Sequence, residues 1–232
     1  MLKVENLAAS YGPAQVLFDI SFTVNDGEVV TLIGRNGMGK TTTIFALMGL
    51  VPPMSGSASF DGVSLIGLPP YSIAQAGIGL VPEGRQIFPT LTVEENLIAT
   101  AAARHGQAQW TLERVYEFFP SLAARKSNMG NELSGGEQQM LAIGRALMTN
   151  PKLLILDEAT EGLAPKIRTE IWNCLARLKQ EGQAILIVDK HINALLKIAD
   201  SHVVIEKGHV VWTGTSQALS GDPSVRERYL QV

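Results

Sequence analysis

Residues 29–41, VVTLIGRNGMGKT, decide the fold of this chain. The apolar and β-branched first part of the stretch predicts a buried strand. The second part matches the pattern Gly-x-x-x-x-Gly-Lys-Thr, in which glycines let the backbone curl so that successive N–H groups point at phosphate oxygens. A helix predicted from about Thr41 to Leu50, ended by Pro52 and Pro53, puts those donors at its positive end. The sequence therefore predicts a phosphate site, with a ligand-free glycine-rich turn as the alternative.

Two side chains of this loop have specific chemistry. Lys40 can reach the β- and γ-phosphates of a nucleotide, which also makes it a catalytic candidate, and the Thr41 hydroxyl can bind magnesium. The predicted nucleotide-binding positions of the loop are Asn36, Gly37, Met38, Gly39, Lys40, Thr41 and Thr42.

Residues 152–158, KLLILDE, form an apolar run that ends in two carboxylates. Such a run predicts a buried strand over 152–156, and open α/β sheets bind their ligands at the C-terminal edge of such strands. There Asp157 can hold magnesium, directly or through water, and Glu158 can polarise the attacking water as general base. Alone, the pair would as readily be two solvated acids, but the phosphate loop favours the functional interpretation.

Strands and helices alternate along much of the remaining chain. Pro165 begins a predicted helix that ends at Gly182, a buried strand is predicted over 184–188, and hairpins are predicted over 57–65 and 203–212. The alternation predicts an α/β fold with a parallel sheet. We expect one domain over 1–232, with a core of about 1–84 and 151–232 and an inserted helical subdomain at about 85–150.

The composition disfavours several classes of protein. The chain has 232 residues, a net charge of −3 and one cysteine, Cys174, so there is no general electrostatic reason to bind nucleic acid or acidic lipid, and no internal disulfide is possible. We expect no signal peptide, and no apolar run approaches the ~18 to 20 residues that span a bilayer. If the protein acts at a membrane, another subunit must hold it there.

Residues 133–137, LSGGE, precede an amphipathic helix that is predicted to run to about Asn150. Ser134 and Glu137 form a capping box, which is a common way to begin a helix and requires no ligand. Two glycines in the first turn, however, remove side chains from the helix N-terminus and expose its N–H groups. That arrangement makes an anion site.

The order of phosphate loop, LSGGE and acidic strand resembles that of the ABC-type ATPases over essentially the whole chain. The resemblance implies a RecA-like P-loop NTPase core with an N-terminal antiparallel β subdomain and an inserted helical subdomain, and it implies ATP hydrolysis. It also implies that Ser134, Gly135 and Gly136 bind the γ-phosphate of an ATP held by the opposite subunit. Two ATP molecules, with Mg²⁺, would then lie in a head-to-tail dimer that opens on hydrolysis.

The resemblance implies roles for further positions. Tyr11 stands where the family stacks an aromatic ring on adenine, with a partly buried strand-end tyrosine as the alternative. Glu83 stands where most members carry glutamine, and its carboxylate could still bind magnesium or its water. Lys190 takes the place of the usual switch histidine and is the preferred catalytic candidate, while His191 lies one residue late; that His191 or neither residue fills the role stays open. Ala164 replaces the usual aspartate of the loop that crosses the dimer.

Three parts of the chain narrow the resemblance to the smaller ATPase subunit of branched-chain amino acid importers: residues 82–85 with 87–97, residues 160–165 and residues 68–70. This implies a heterodimer with a related ATPase subunit, or a homodimer in isolation, bound peripherally at the cytoplasmic face of the plasma membrane. Two transmembrane permease subunits would anchor it, and an extracytoplasmic solute-binding protein would act indirectly. No nucleic acid partner is expected.

Other functions are kept as alternatives. The same machine could serve amides, urea or aromatic acids, because the solute never touches this subunit. ABC proteins of DNA repair or translation usually add long coiled coils, zinc modules or a second ATPase half, and none is found in this sequence. The Glu158 carboxylate argues against a pure nucleotide-binding regulator.

Overall fold

The computed structural model describes residues 1–103, 106 and 108–230. Within them the chain forms two β-sheets flanked by helices. The strands are β1 Leu2–Tyr11, β2 Ala14–Val24, β3 Val29–Ile33, β4 Pro53–Phe60, β5 Val63–Ser64, β6 Ile78–Val81, β7 Leu153–Asp157, β8 Ala184–Val188, β9 Ser201–Glu206 and β10 His209–Thr215. The helices are α1 Lys40–Leu47, α2 Pro70–Ala76, α3 Val93–Ile98, α4 Leu112–Phe118, α5 Pro120–Ala123, α6 Gly135–Leu147, α7 Pro165–Gln180, α8 Ile192–Ile198, α9 Ser216–Gly221 and α10 Pro223–Val225, with a 3-10 turn at Gly130–Glu132 and a π-helical turn at Arg226–Leu230.

The larger sheet forms the mainly parallel core. Its six strands run in the order β10-β9-β3-β8-β7-β6, and every neighbouring pair is parallel except β9 and β10. Strands β3, β7 and β8 are buried along their whole length, as expected for a parallel sheet covered on both faces. Because the carboxyl ends of parallel strands meet at one edge, the loop after β3 lies on the same side of the sheet as the acids at the end of β7.

The smaller sheet is antiparallel, in the order β2-β1-β4-β5. Its apolar face packs with α1 and the larger sheet into one core, in which Leu7 of β1, Leu32 of β3 and Ile44 of α1 are fully buried. An N-terminal antiparallel sheet beside a mainly parallel α/β core confirms the predicted fold class.

Helices α3 to α6 lie between β6 and β7 in the chain and share a second core. Leu97 of α3, Val115 of α4 and Leu141 of α6 belong to one buried cluster. The division into a core and a helical subdomain with boundaries near 85 and 150 stays a prediction, and residues 104, 105 and 107 lie outside the described part of the chain. Among the described residues, no helix is both long and apolar enough to cross a bilayer.

The sequence predicts capping boxes at Thr92 with Glu95 and at Ser134 with Glu137, and both are confirmed. Thr92 caps α3 and exchanges hydrogen bonds with Glu95, and Ser134 caps α6 and does the same with Glu137. These helix starts depend on contacts between residues three positions apart, so the sequence alone contains the necessary information.

Two predicted helix ends are wrong by about a turn. Helix α1 ends at Leu47 rather than near Leu50, because Gly49 takes a left-handed φ of 69° before the prolines are reached. Helix α6 ends at Leu147, and Asn150, three positions later, takes a left-handed φ of 52°. Helix α1 is therefore ended by the left-handed Gly49 and not, as predicted, by Pro52 and Pro53.

A buried chain of polar groups joins β3 to α9. The Thr31 hydroxyl lies 2.7 Å from His202 Nδ1, and His202 Nε2 lies 2.8 Å from the Ser216 hydroxyl. Ser216 donates its proton to the Ala199 carbonyl, so His202 Nε2 donates and Nδ1 accepts from Thr31. Burial lowers the pKa of His202 to about 4. The imidazole is therefore neutral in the folded protein at pH 7.

Candidate functional site

The phosphate loop lies between β3 and α1 and curls around one ammonium group. Lys40 Nζ donates to the Gly34 and Arg35 carbonyls, each at 3.0 Å. Burial lowers the pKa of Lys40, while the nearby carboxylates Glu158 and Asp157 oppose that shift. The loop therefore holds the Lys40 ammonium at the N-terminus of α1. The main-chain N–H groups there also favour an anion, so both features suit a phosphate group.

The phosphate loop is fixed from outside by distant parts of the chain. Gly208, in the turn between β9 and β10, donates its N–H to the Met38 carbonyl at 3.0 Å, and the Lys207 N–H lies 3.2 Å from the Met38 sulfur. A Cβ on Gly34, whose φ is 151°, would lie 2.3 Å from the Ile205 carbonyl. The close approach of β9 thus requires glycine at that position.

The remaining predicted nucleotide-binding residues of the loop occupy two environments. Asn36 and Gly37 are exposed, while Gly39 and Thr42 are buried. Gly37 and Gly39 take φ values of 77° and 107°, which only glycine adopts readily.

Asp157, the last residue of β7, lies beside the start of α1. Thr41 Oγ1 is 3.4 Å from Asp157 Oδ1, and Asp157 Oδ2 is buried without a hydrogen-bond partner among the described residues. Burial raises the pKa of Asp157 to about 6, with a further rise from the charge of Glu83. An unpaired carboxylate oxygen beside a hydroxyl is a hard-oxygen donor set that suits Mg²⁺.

Three carboxylates meet next to Asp157. Glu83, Glu158 and Glu161 each bring one oxygen within 4.8 Å of the others. A hydrogen bond to Glu161, followed by burial and by the charges of Glu161 and Glu83, raises the pKa of Glu158 to about 7. The same contact with Glu158 lowers the pKa of Glu161. The proton of this pair therefore resides on Glu158 when only one is bound.

Lys190 and His191 contact different groups. Lys190 Nζ lies 2.8 Å from Glu161 Oε1, which raises the pKa of Lys190. His191 Nδ1 lies 2.7 Å from Asp189 Oδ1, and its Nε2 contacts the Arg168 guanidinium. A guanidinium only donates, so Nε2 accepts and Nδ1 carries the proton. Both ring nitrogens of His191 are thus in use, whereas Lys190 contacts a carboxylate of the cluster directly.

The LSGGE segment forms the start of α6. Ser134 Oγ donates to Glu137 Oε2 at 2.7 Å, and Glu137 also binds Arg125 at 2.7 Å. A Cβ on Gly136 would lie 2.4 Å from the Ile167 side chain, so α7 packs directly against the helix start. In the described part of the chain, no hydrogen bond joins residues 134–136 to residues 34–42.

Tyr11 ends β1 and is 49% exposed. It pairs with Ala14 across the turn at Gly12. The exposed ring is free to stack on a planar group, which is what the predicted adenine contact requires.

Sequence analysis missed the role of Glu161 in this site. Glu161 lies in the loop after β7, three positions beyond Glu158, and its acidic side chain was the available signal. Its pairing with Lys190 could not be foreseen, because the two residues lie 29 positions apart and meet only through the pairing of β7 with β8.

The chain is similar to a known protein family and to several known proteins. A family model described as ABC transporter matches residues 17–161. The chain is 44% identical over 231 residues to the high-affinity branched-chain amino acid transport ATP-binding protein BraG of Pseudomonas aeruginosa, covering 99% of both chains. It is 36% identical to the lipopolysaccharide export system ATP-binding protein LptB of Haemophilus influenzae, covering 99% of this chain and 97% of LptB.

Solved structures give the same picture. The ADP conformation of MJ1267, an ATP-binding cassette of an ABC transporter, has a TM-score of 0.83 and 28% identity, covering 98% of this chain and 97% of that one. An ATP-binding subunit of an ABC transporter has a TM-score of 0.84 and 31% identity, covering 100% and 96%.

Proposed function

Because this chain belongs to the ABC transporter family of ATP-hydrolysing subunits, we propose that it powers the import of branched-chain amino acids. The higher identity to BraG than to LptB supports this solute class, as do the segments at 82–97 and 160–165. Export of lipopolysaccharide is the competing function, because LptB matches almost the whole chain at 36% identity.

One observation supports the proposed ATP site above all others. Lys40, Thr41, Asp157 and Glu158 come from two separate segments and converge at one edge of the parallel sheet, with the Thr41 hydroxyl 3.4 Å from Asp157. The main-chain N–H groups of the loop would bind the phosphates, and Lys40 would exchange its carbonyl partners for the β- and γ-phosphate oxygens.

Mg²⁺ would be held by Thr41 and Asp157, with Glu83 binding it directly or through water. The ion would offset the negative charge of the phosphates. The unpaired Oδ2 of Asp157 supports this placement, and a bound cation would also lower the raised pKa of that carboxyl group.

Glu158 would act as the general base. It must be ionised to accept a proton from the attacking water. The adjacent Glu161 raises the pKa of Glu158 and so favours its protonated form. Lys190, bonded to Glu161 at 2.8 Å, would stabilise negative charge next to the site. The test compares ATPase activity in the assembled complex of Lys190→Ala and His191→Ala. An unaffected Lys190→Ala would reject this role for Lys190.

The proposed working unit is a head-to-tail dimer. Ser134, Gly135 and Gly136 of each chain would bind the γ-phosphate of the ATP on its neighbour, and Tyr11 would stack on its own adenine. The partner would be a related ATPase subunit, with a homodimer forming in isolation. Two transmembrane permease subunits would hold the pair at the cytoplasmic face of the membrane, and a solute-binding protein would deliver the solute.

Transport in a reconstituted system tests the solute class. The tagged chain is purified from detergent-solubilised membranes of its own host, its partners are identified, and the complex is placed in vesicles. ATP-driven uptake of leucine, abolished by Glu158→Gln, is expected. If urea, an amide or an aromatic acid is taken up instead, that compound class would replace branched-chain amino acids as the proposed solute. Purification with lipopolysaccharide-export subunits, and no leucine uptake, would overturn the import proposal.

A further inference from the structure

The loop between β6 and α3, residues 82–92, lies along helix α6, which begins in the LSGGE segment. Arg85 in this loop donates from Nη1 to Gln138 Oε1 at 3.2 Å. The same guanidinium rests on the first turn of α6, where a Cβ on Gly135 would lie 2.8 Å from Nη1 and 3.1 Å from Cζ. A side chain at position 135 would therefore displace the Arg85 guanidinium from this place.

The C-terminal end of α6 also contacts this loop. Arg145 donates from Nη2 to the Gln86 carbonyl at 2.6 Å, and its guanidinium lies 4.7 Å from the centre of the Phe88 ring. One arginine thus reaches from the loop to the helix, and another from the helix to the loop. Together they fix the loop at two points along α6.

Gln138 connects these loop–helix contacts, called the joint below, to the segment before α6. Its Nε2 donates to the Gly130 carbonyl at 3.1 Å, and the Gly130 N–H donates to the Leu91 carbonyl at 2.9 Å. A Cβ on Gly130 would lie 2.7 Å from the Phe88 carbonyl. Loop, 3-10 turn and helix start are therefore in direct contact.

The position of Arg85 is not one that local forces favour. Arg85 and Gln86 take φ values of 65° and 44°, a left-handed conformation that costs energy for residues other than glycine. A cation at a helix N-terminus is also disfavoured by the helix dipole. The contacts of the half-buried Arg85 with Gln138 and Gly135 oppose both costs.

We infer that Arg85 is a positioning residue that fixes the N-terminus of α6, and with it residues 134–136, to the loop that contains Glu83. The inference rests on the proposed role of residues 134–136 in binding the neighbour's ATP. Glu83 belongs to the carboxylate cluster of this chain's own site. A movement of the loop would therefore change one ATP site through Glu83 and the other through Arg85.

Hydrogen–deuterium exchange of the full chain tests the joint without requiring a partner. In Arg85→Ala, amide exchange across residues 130–138 should be about tenfold faster, because a charge-assisted hydrogen bond is lost. Arg85→Lys should be intermediate, because an ammonium cannot lie flat against Gly135. Arg114→Ala is the matched control, since Arg114 in α4 is paired with Glu181 instead, and it should leave this segment unchanged.

Steady-state ATPase separates a positioning role from a merely structural one. Arg85→Ala should lower kcat about tenfold and change KM for ATP less than twofold, because the chain's own phosphate loop is intact. Faster exchange with unchanged kcat would overturn the positioning role, as would unchanged exchange. If Arg85→Ala fails to fold, Gln138→Ala removes the acceptor and is judged by the same two outcomes. ATPase is measured in the assembled complex, because each site needs a partner subunit. An assembled wild-type complex without ATPase would instead count against the proposed function, and the exchange result would still stand.

Discussion

Replacing Glu161 with glutamine should shift the acid limb of the pH profile of kcat/KM for ATP to lower pH. The free-enzyme pKa of Glu158 is about 7, raised from 4.5 chiefly by the hydrogen bond to Glu161 and by burial. A general base works only when ionised, so kcat/KM falls as the pH drops below that value. The glutamine amide removes the Coulombic contribution of Glu161 to the rise, and its oxygen is a weaker hydrogen-bond acceptor than the carboxylate.

The size of the effect follows from the two pKa values. We expect the pKa of Glu158 to fall by about one pH unit, to about 6, because burial and Glu83 still raise it. At pH 6, about a tenth of Glu158 is ionised in the wild type and about half in the variant. Relative to its own value at pH 8, kcat/KM at pH 6 should therefore be about fivefold higher in Glu161→Gln than in the wild type.

The assay is phosphate release at low ATP concentration from pH 5.5 to 8.5. Glu117→Gln, an exposed acid on α4, is the matched control and should reproduce the wild-type profile. Coincident acid limbs for the wild type and Glu161→Gln would refute the reasoning, because Glu158 would then not be the titrating base or would not be coupled to Glu161.

Three further outcomes are expected. Glu158→Gln should retain ATP binding, measured by titration with a fluorescent ATP analogue, and lose kcat by about 100-fold or more; brisk ATPase would remove Glu158 as the base. Because the folded pKa of His202 is about 4 against 6.5 unfolded, the unfolded state takes up a proton first as the pH falls, and about 3 kcal/mol of stability should be lost between pH 6.5 and 4. Urea unfolding measures this loss, and His202→Phe should lack that component; an unchanged pH dependence would contradict it. Gly208→Ala places a Cβ 2.0 Å from a main-chain oxygen of β2 at a φ of 78°, so it should cost about 3 kcal/mol in the same assay, whereas Gly221→Ala, with open space around it, should be nearly neutral.

Local patterns predicted much of the fold. The buried strands over 29–33 and 184–188 have the predicted bounds, because apolar runs of that length between turn signals leave little choice. The strand predicted over 152–156 lies one residue later, so Asp157 is its last member. Helix ends were less predictable, since a left-handed φ such as that of Gly49 is set by the path of the following chain.

Motifs located the candidate site but not its electrostatics. The roles of Lys40 and Glu158 rest on spacing and segment order, which are visible in the sequence. The proton shared by Glu158 and Glu161, and the ammonium of Lys190 beside it, depend on distances between separate strands. The contact of Arg85 with α6 depends on two left-handed residues in a loop. No residue pattern encodes these arrangements.

The pairing of β3 has a consequence for how the protein is made. β3 is hydrogen-bonded on one side to β8 and on the other to β9, and Met38 of the phosphate loop meets Lys207 across 169 positions of chain. Ribosomes add about 5 to 20 residues per second, so roughly 10 to 30 s separate the synthesis of the loop from that of its anchor. For most of that interval, until β8 has been made, the apolar strand β3 lacks both of its partners in the nascent chain and is exposed to aggregation or to chaperones. An interrupted chain that lacks β9 and β10 would carry the complete Gly-Lys-Thr motif without the contacts that fix the phosphate loop.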